Sequence, residues 1–224
     1  MKRVLVLFVL IFISFTAISQ TKFGVRAGMS LSTYYSAQSV YQFKPGANIG
    51  GVVDIPIGSS KFSFVPGLYF ADKGTIKEGS FPPPNVYFFM RPEAFDFKDI
   101  HYNFQFQIPL LFTYKIPIND KVTLRPQIGV YFSFTMLERI NSKRVWYFSY
   151  SSNPPSESTY DYYYHDGHYG GFGANVGLST FYNKYSFTLS CDVGHANNSE
   201  SLSSYVNDVN IPHICLYFSL GYDF

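Results

Sequence analysis

The stretch Ile214–Phe224, ICLYFSLGYDF, decides the fold class of this chain. Every second residue is apolar: Ile214, Leu216, Phe218, Leu220, Tyr222 and Phe224. A period of two residues is typical of a β-strand with one apolar face and one more polar face. We expect this strand to pair with the first strand of the sheet, because a closed barrel leaves no unpaired edge.

Seven earlier segments show the same alternation. The predicted strands are Phe23–Leu31, Ala47–Ile55, Phe62–Phe70, Ile100–Tyr114, Val122–Met136, Phe172–Tyr182, Tyr185–Val193 and Ile214–Phe224. No charged residue falls on the apolar face of any of them. The opposite face carries Arg26, Asn48, Asp54, His101, Asn103, Gln105, Gln107, Arg125, Gln127, Asn175, Asp192 and Asp223. Because Lys or Arg facing the bilayer midplane costs about 2–4 kcal/mol, we predict that lipid contacts the apolar face. A soluble ligand-carrying barrel would have the reverse arrangement.

The connections between the predicted strands alternate in length. Three are brief: Pro56–Lys61, Ile116–Lys121 and Asn183–Lys184. Four are long: Ser32–Gly46, Ala71–Asp99, Leu137–Gly171 and Gly194–His213. This alternation predicts an all-β fold, an eight-stranded antiparallel up-and-down transmembrane β-barrel with short periplasmic turns and long extracellular loops. Proline cannot donate to a strand ladder, so we expect β-bulges at Pro66 and Pro126.

The first residues resemble a secretory signal. Lys2 and Arg3 precede the apolar run Val4–Phe15, and Ala17-Ile18-Ser19 resembles a cleavage site for signal peptidase. A membrane anchor is the alternative, but the run is shorter than the roughly 20 residues that a spanning helix needs. We therefore expect residues 1–19 to be a signal peptide and residues 20–224 to be an outer-membrane β-barrel domain.

Composition narrows the class of protein. Without Lys2 and Arg3, the chain has equal numbers of basic and acidic residues, which argues against a nucleic-acid binder. Aromatic residues make up 20% and charged residues only 14%, an unusual surface for a soluble exported domain.

Cys191 falls on the apolar face of its strand and Cys215 on the opposite face of the next strand. We therefore favour two unpaired thiols over a disulfide.

Four short motifs resemble the PorT-like outer-membrane β-barrel family. They are Phe23-Gly24-Val25-Arg26-Ala27-Gly28, Phe64-Val65-Pro66-Gly67-Leu68-Tyr69, Gln107-Ile108-Pro109-Leu110-Leu111 and Gly221-Tyr222-Asp223-Phe224. The resemblance implies a barrel from about residue 22 to the end of the chain, and a link with protein export across the outer membrane. It implies no catalytic residue. In the third motif Gln107 stands where the family often has a carboxylate.

Two sets of residues are candidates for function. The first is a luminal charge cluster near the periplasmic end, formed by Arg26, Asp54, Arg125 and Asp223. Arg26 is expected near Asp223, with Asp54 on its other side. Such a cluster acts either as a gate or as a neutralising plug, and the narrow lumen of eight strands favours the plug. The second set comprises the loop aromatics Trp146, Tyr147, Tyr150, Tyr162, Tyr163 and Tyr164. They suit contact with a protein or glycan partner, and the alternative is that they pack in strands extending beyond the membrane.

Two further hypotheses concern chemistry. His165, Asp166 and His168 have ligand chemistry for a metal, but such spacing in a loop is common by chance, so we expect no metal and no cofactor. Ser190, Asp192, His195 and His165 are the residues of a conceivable rim enzyme, but no spacing fixes a nucleophile beside a base. We predict a non-enzymatic structural or interaction protein in the outer membrane of a Gram-negative bacterium, with a narrow solute pore as the alternative. Its expected partners are membrane lipid and the barrel-assembly machinery during insertion, and no nucleic acid.

Overall fold

The computed structural model describes residues 21–35, 41–81, 92–148, 156–164, 170–197 and 210–224. All regular secondary structure in these residues is β-strand. The strands are β1 (Lys22–Tyr34), β2 (Tyr41–Gln42), β3 (Lys44–Pro56), β4 (Phe62–Phe81), β5 (Pro92–Tyr114), β6 (Ile116–Pro117), β7 (Val122–Phe148), β8 (Ser156–Tyr164), β9 (Gly170–Tyr182), β10 (Tyr185–Asn197) and β11 (Asn210–Asp223). Within these segments no helix is long and apolar enough to cross a membrane.

Eight of the described strands form a closed antiparallel ring. Its order is β1-β3-β4-β5-β7-β9-β10-β11, and β11 returns to pair with β1 from Gly24↔Asp223 to Tyr34↔His213. The three remaining strands are short additions: β2 pairs with β4, while β6 and β8 pair with β7. The predicted fold class and the predicted pairing of the last strand with the first are therefore confirmed.

The two faces of the ring differ in polarity as predicted. Ile49, Phe172 and Leu220 point outward and are 61%, 63% and 68% exposed. All twelve polar residues predicted for the opposite face are inward; ten of them are buried, and Arg125 and Gln127 are partly exposed. On β5, none of the residues placed outward from Ile100 to Tyr114 is charged. An apolar outside and a polar inside are the pattern of a barrel whose solvent is hydrocarbon.

Several segments predicted as long loops are strands. β4, β5 and β7 contain 20, 23 and 27 residues, whereas β1, β3, β9 and β10 contain 13 each. Because about 9–11 residues cross a bilayer, the three long strands continue well past it at the end opposite the short turns. We call residues 76–81, 92–101, 139–148 and 156–164 the outer sheet. Their mixed sequences lose the apolar alternation, which is why the pattern did not reveal them.

One extra residue in β7 changes which of its side chains point outward. Gln105 pairs with Thr135, but Phe104 pairs with Leu137, so Met136 is a β-bulge. From Val122 to Met136, the even-numbered residues of β7 face lipid. Above it Glu138 and Ser142 are buried inside, and Lys143 is exposed on the outside. The bulge therefore shifts the alternation by one residue number, so that in the outer sheet the odd-numbered residues of β7 point outward, like their partners on β5.

The bulges expected at Pro66 and Pro126 are absent from the described ladders, and that prediction was wrong. Neither residue shifts the register: Pro66 pairs with Leu110, and Pro126 pairs with Leu178. Each lies instead beside a gap in one ladder. The β3–β4 ladder skips Pro66 and Val65, and the β5–β7 ladder stops at Gln127 before β6 resumes it at Leu124. A missing donor is tolerated where the partner strand makes no hydrogen bond.

The two cysteines lie on opposite faces of the β10–β11 pair. Asp192 pairs with Cys215, and Cys191 pairs with Leu216, so the cysteines are diagonal neighbours in the register. Cys215 is fully buried in the lumen, whereas Cys191 is partly exposed on the outside, and both thiols are free. Since successive side chains of a strand point to opposite faces, this register keeps the two sulfurs apart.

Candidate functional site

The centre of the lumen is closed around Asp192. Its carboxylate is completely buried and accepts three hydrogen bonds from three different strands. Lys73 Nζ donates at 3.1 Å, Gln107 Nε2 at 2.7 Å and Asn175 Nδ2 at 2.6 Å. The ammonium of Lys73 and the carboxylate of Asp192 neutralise each other, and both are almost inaccessible. A buried charge is stable only when it is paired and hydrogen-bonded in this way.

Two tyrosines complete this layer. The Tyr217 hydroxyl donates to Gln107 Oε1 at 3.0 Å, which fixes the amide that binds Asp192. The Lys73 ammonium lies 4.7 Å from the centre of the Tyr131 ring and 5.5 Å from that of Tyr217. Cation–π contact of this kind partly replaces the water that the ammonium has lost. We call Lys73, Gln107, Tyr131, Asn175, Asp192 and Tyr217 the central layer.

Tyr131 fits into the lumen because two glycines face it. A Cβ atom at Gly194 would lie 2.3 Å from the Tyr131 hydroxyl, and one at Gly173 would lie 2.6 Å from it. The hydroxyl is 2.8 Å from Nε2 of His213, and Tyr131 itself is 0% exposed. The central layer is therefore tightly packed on the side of the outer sheet.

The four residues predicted as a luminal charge cluster form two separate ion pairs near the short turns. Arg26 Nη2 is 2.6 Å from Asp223, across the β1–β11 junction. Asp54 is 2.8 Å from Arg125 and 3.2 Å from Lys115, and its described ion pairs do not include Arg26. Both guanidinium groups lie against the Phe181 ring, at 3.8 Å for Arg125 and 5.6 Å for Arg26.

A cavity lies between these ion pairs and the central layer. Its volume is about 80 Å³. Its lining runs from Asp54 and Arg125, near the short turns, to Gln107 and Tyr217 beside Asp192. The lumen is thus divided into a partly open half near the short turns and a filled centre.

Lys73 is the member of the central layer that the sequence did not reveal. It lies in Ala71–Asp99, which was predicted as a loop, whereas the structure continues β4 through it. The signal was present: Ala71, Lys73 and Thr75 continue the inward positions of the strand, and all three are buried. Extending the period of two past Phe70 would have placed Lys73 in the lumen.

The loop aromatics are described only by their backbone. Trp146 and Tyr147 belong to β7, Tyr162, Tyr163 and Tyr164 belong to β8, and Tyr150 lies outside the described residues. Trp146 pairs with Phe95 on one side and with Ser156 on the other. The backbone therefore agrees with the alternative in which these segments are strands that extend beyond the membrane.

Among the described residues, Asp192 and His195 of the conceivable rim enzyme are not brought together. Asp192 is inside the lumen and His195 is on the outer face of the same strand, so the two do not converge. His165, Asp166 and His168 lie outside the described residues. In the part of the chain that is described, no three His, Cys, Asp or Glu side chains are grouped to hold a metal ion.

A closed ring of eight antiparallel strands, with a polar interior and an uncharged apolar belt, defines an integral membrane β-barrel. The chain belongs to the family described as outer membrane protein beta-barrel domain, whose sequence model matches residues 17–200. This family places the protein in the outer membrane of Gram-negative bacteria.

Solved structures with similar backbones are remote in sequence. Ail, the attachment invasion locus protein of Yersinia pestis, is 11% identical with a TM-score of 0.43, over 91% of this chain and 98% of Ail. Neisserial surface protein A is 13% identical with a TM-score of 0.41, over 90% of this chain and 97% of that protein. OprG from Pseudomonas aeruginosa is 12% identical with a TM-score of 0.36, over 91% and 95%. A search of curated protein sequences found no match.

Proposed function

We propose that this protein is a non-enzymatic interaction protein of the cell surface, whose lumen is closed to solutes and whose outer sheet contacts a protein or glycan partner. The observation that carries the proposal is the unequal length of the strands: four neighbouring strands, β4, β5, β7 and β8, form a sheet beyond the membrane. A barrel that only had to span the bilayer would not need them.

The described surface of the outer sheet suits contact with water and a polar partner. Glu78 pairs with Lys98, and Lys143 pairs with Glu157 at 2.7 Å. The hydrogen bond from Lys98 lowers the pKa of Glu78, so this carboxyl is ionised at neutral pH. Tyr160 is 47% exposed on the same sheet. Exposed tyrosine among paired charges is typical of polar, adaptable binding surfaces.

The resemblance to PorT-like barrels extends the proposal to an accessory role in a protein-secretion assembly. Export through a cleaved signal peptide, and insertion into lipid by the barrel-assembly machinery, are part of the same proposal. Amino-terminal sequencing of the protein from purified outer membranes should begin at about Gln20. A chain that still begins at Met1 would remove the cleaved signal from the proposal.

Photo-crosslinking in intact cells tests the surface role. A photoreactive amino acid at Tyr160 should capture a distinct partner, whereas the same group at Ile128, which faces lipid, should not. A variant lacking residues 143–159 joins Ser142 to Tyr160 by an Asn-Gly turn. These two residues are partners in the β7–β8 ladder, so the shortened hairpin keeps its register. It should fold and lose the crosslinked product. Two results would refute the role of the outer sheet. One is that Tyr160 and Ile128 capture identical products. The other is that a photoreactive group at Lys98 captures the same partner with and without the deletion.

Conductance tests the closed lumen separately. The purified chain in planar bilayers should show no stable open steps, because the central layer fills the cross-section with paired side chains. Reproducible open steps would instead establish the narrow solute pore as the function.

A further inference from the structure

The two faces of the outer sheet differ in how their cations are paired. On the outward face, Lys98 and Lys143 each have a glutamate within ion-pair distance. On the face turned toward the axis of the barrel, Lys77 and Arg144 form no ion pair with any described residue. Both side chains are partly exposed. The inward face therefore presents two cations without counter-ions.

The register of the outer sheet places these cations beside one another. One row across β4, β5 and β7 contains Lys77, Asp99 and Ser142, and the next row contains Gly79, Phe97 and Arg144. Residues two apart on a strand point to the same face, so both rows share one face. Ser142 is only 2% exposed, which shows that this face is the inward one. We call Lys77, Phe97, Asp99, Ser142 and Arg144 the inward patch.

The aromatic ring of the inward patch lies flat on the sheet. A Cβ atom at Gly79 would lie 2.7 Å from Cε1 and 3.0 Å from Cζ of Phe97, so only glycine leaves room for the ring there. Phe97 is partly exposed, and the Lys77 ammonium is 6.0 Å from the centre of its ring. The face of an aromatic ring is electron-rich and attracts the weakly positive C–H groups on one side of a sugar ring.

Hydrogen bonds hold the polar groups of the inward patch in position. The Ser142 hydroxyl donates to Asp99 Oδ1 at 2.5 Å and accepts from Arg144 Nε at 3.4 Å. The two terminal nitrogens of Arg144 make no hydrogen bond to the described residues. A guanidinium group with two parallel N–H donors matches the two oxygens of a carboxylate.

The charge of the inward patch favours an acidic ligand. Lys77 and Arg144 contribute two positive charges and Asp99 contributes one negative charge, so the patch has a net charge of +1. An acidic peptide could meet the two cations, but it has no flat C–H face for the Phe97 ring. An uncharged sugar could stack on that ring and bond to Asp99, but it would leave both cations without counter-ions. An acidic sugar satisfies all of these groups.

We propose that the inward patch binds an acidic glycan, one whose pyranose ring carries a carboxylate. The sugar ring stacks on Phe97, its carboxylate accepts hydrogen bonds from Arg144 and Lys77, and a hydroxyl group donates to Asp99. This inference rests on the proposed surface role and selects a glycan as the partner of the outer sheet.

Three probes of matched length test the ligand class. The full-length chain in lipid nanodiscs is titrated by calorimetry with oligogalacturonate, with a neutral glucose oligosaccharide and with oligoglutamate. Oligogalacturonate should bind saturably and about 10–100-fold more tightly than either of the others, the ratio that hydrogen bonds to a charged group supply. Equally tight binding of oligoglutamate would show that charge alone is recognised and would refute the sugar contact. Equally tight binding of the neutral oligosaccharide would refute the role of the two cations.

Two neighbouring residues of β7 provide matched variants for the place. Arg144→Gln removes a cation from the inward patch and should weaken oligogalacturonate at least about tenfold. Lys143→Gln removes a cation from the outward face and should change the affinity less than about twofold. Phe97→Leu should weaken both oligosaccharides and leave oligoglutamate unchanged. Should Phe97→Leu fail to fold, saturation-transfer NMR decides the sugar contact, and transfer from the Phe97 ring to the sugar protons supports it. Equal loss in Arg144→Gln and Lys143→Gln, or transfer only from other side chains, would overturn the site.

The photoreactive group at Tyr160 separates failure of this inference from failure of the surface role. If oligogalacturonate does not bind saturably and Tyr160 still captures a protein in intact cells, the glycan assignment is wrong and the surface role stands. If oligogalacturonate does not bind and Tyr160 captures nothing, both are wrong.

Discussion

Lys73 and Asp192 form an ion pair in the middle of the barrel, with Nζ 3.1 Å from Oδ2, although they are 119 positions apart in the chain. They lie on strands β4 and β10, on opposite sides of the ring. The pair therefore ties the two halves of the barrel together through its interior. Its partners, Gln107 and Asn175, come from two further strands, so the lumen is closed by one connected set of side chains.

Breaking the ion pair between Lys73 and Asp192 should lower the free energy of unfolding of the barrel. Lys73→Met leaves the Asp192 charge buried without its cation, and we expect a loss of about 3–5 kcal/mol in the free energy of unfolding. Urea titration of the refolded barrel, followed by heat-modifiable migration on gels, measures the loss. Lys121→Met, in an exposed turn, is the control and should stay within about 0.5 kcal/mol. Equal stability of the two variants would show that the central layer does not hold the barrel.

The two ion pairs at the short-turn end should differ in strength. Asp54→Asn leaves Arg125 and Lys115 without a counter-ion, whereas Asp223→Asn leaves only Arg26. Because Lys115 is partly exposed, its share is small, and we expect Asp54→Asn to be the more damaging by about 1 kcal/mol. The same urea titration compares them. A larger loss for Asp223→Asn would contradict the assignment of two cations to Asp54.

Gly194 should not tolerate a methyl group. An added Cβ would lie 2.3 Å from the Tyr131 hydroxyl, and overpacking of this kind costs about 1–3 kcal/mol. Gly51→Ala is a matched control, because the nearest atom to its added Cβ is 3.8 Å away. That variant should change the stability by less than about 0.5 kcal/mol. Thermal unfolding followed by circular dichroism would distinguish the two, and equal midpoints would argue against close packing around Tyr131.

Arginine substitutions at two depths test whether the outward face of the barrel contacts hydrocarbon. Ile128 is 65% exposed on the outward face of β7 within the barrel, and Ile118 is 57% exposed in a short turn. Ile128→Arg should cost about 2–4 kcal/mol in lipid vesicles, and Ile118→Arg about 0–1 kcal/mol. Similar costs at both sites would mean that the apolar belt does not face a bilayer.

The period of two identified all eight barrel strands and the side chains that fill the lumen, because lipid on one face excludes charge over many consecutive positions. It failed in the outer sheet, where water lies on the outside and no longer selects for apolar residues. Lys73 was missed because the apolar alternation of its strand ends at Phe70, followed by Asp72 and Gly74, although Asp192 was placed correctly in the lumen. The partners in the luminal charge cluster were predicted in part. Arg26 was expected beside Asp223, because closure of the barrel joins the first strand to the last, and this pair is present. Asp54 was expected on the other side of Arg26, whereas it pairs with Arg125 and Lys115.

The bulge at Met136 lets β7 carry one residue more than its partner β5 without a change of face beyond it. Thr135 pairs with Gln105 and Leu137 with Phe104 on either side of the bulge, so a chain without Met136 would make the same pairs and keep Glu138 inside and Lys143 outside. The strand can therefore lose this one residue and still present the same side chains to the cell exterior.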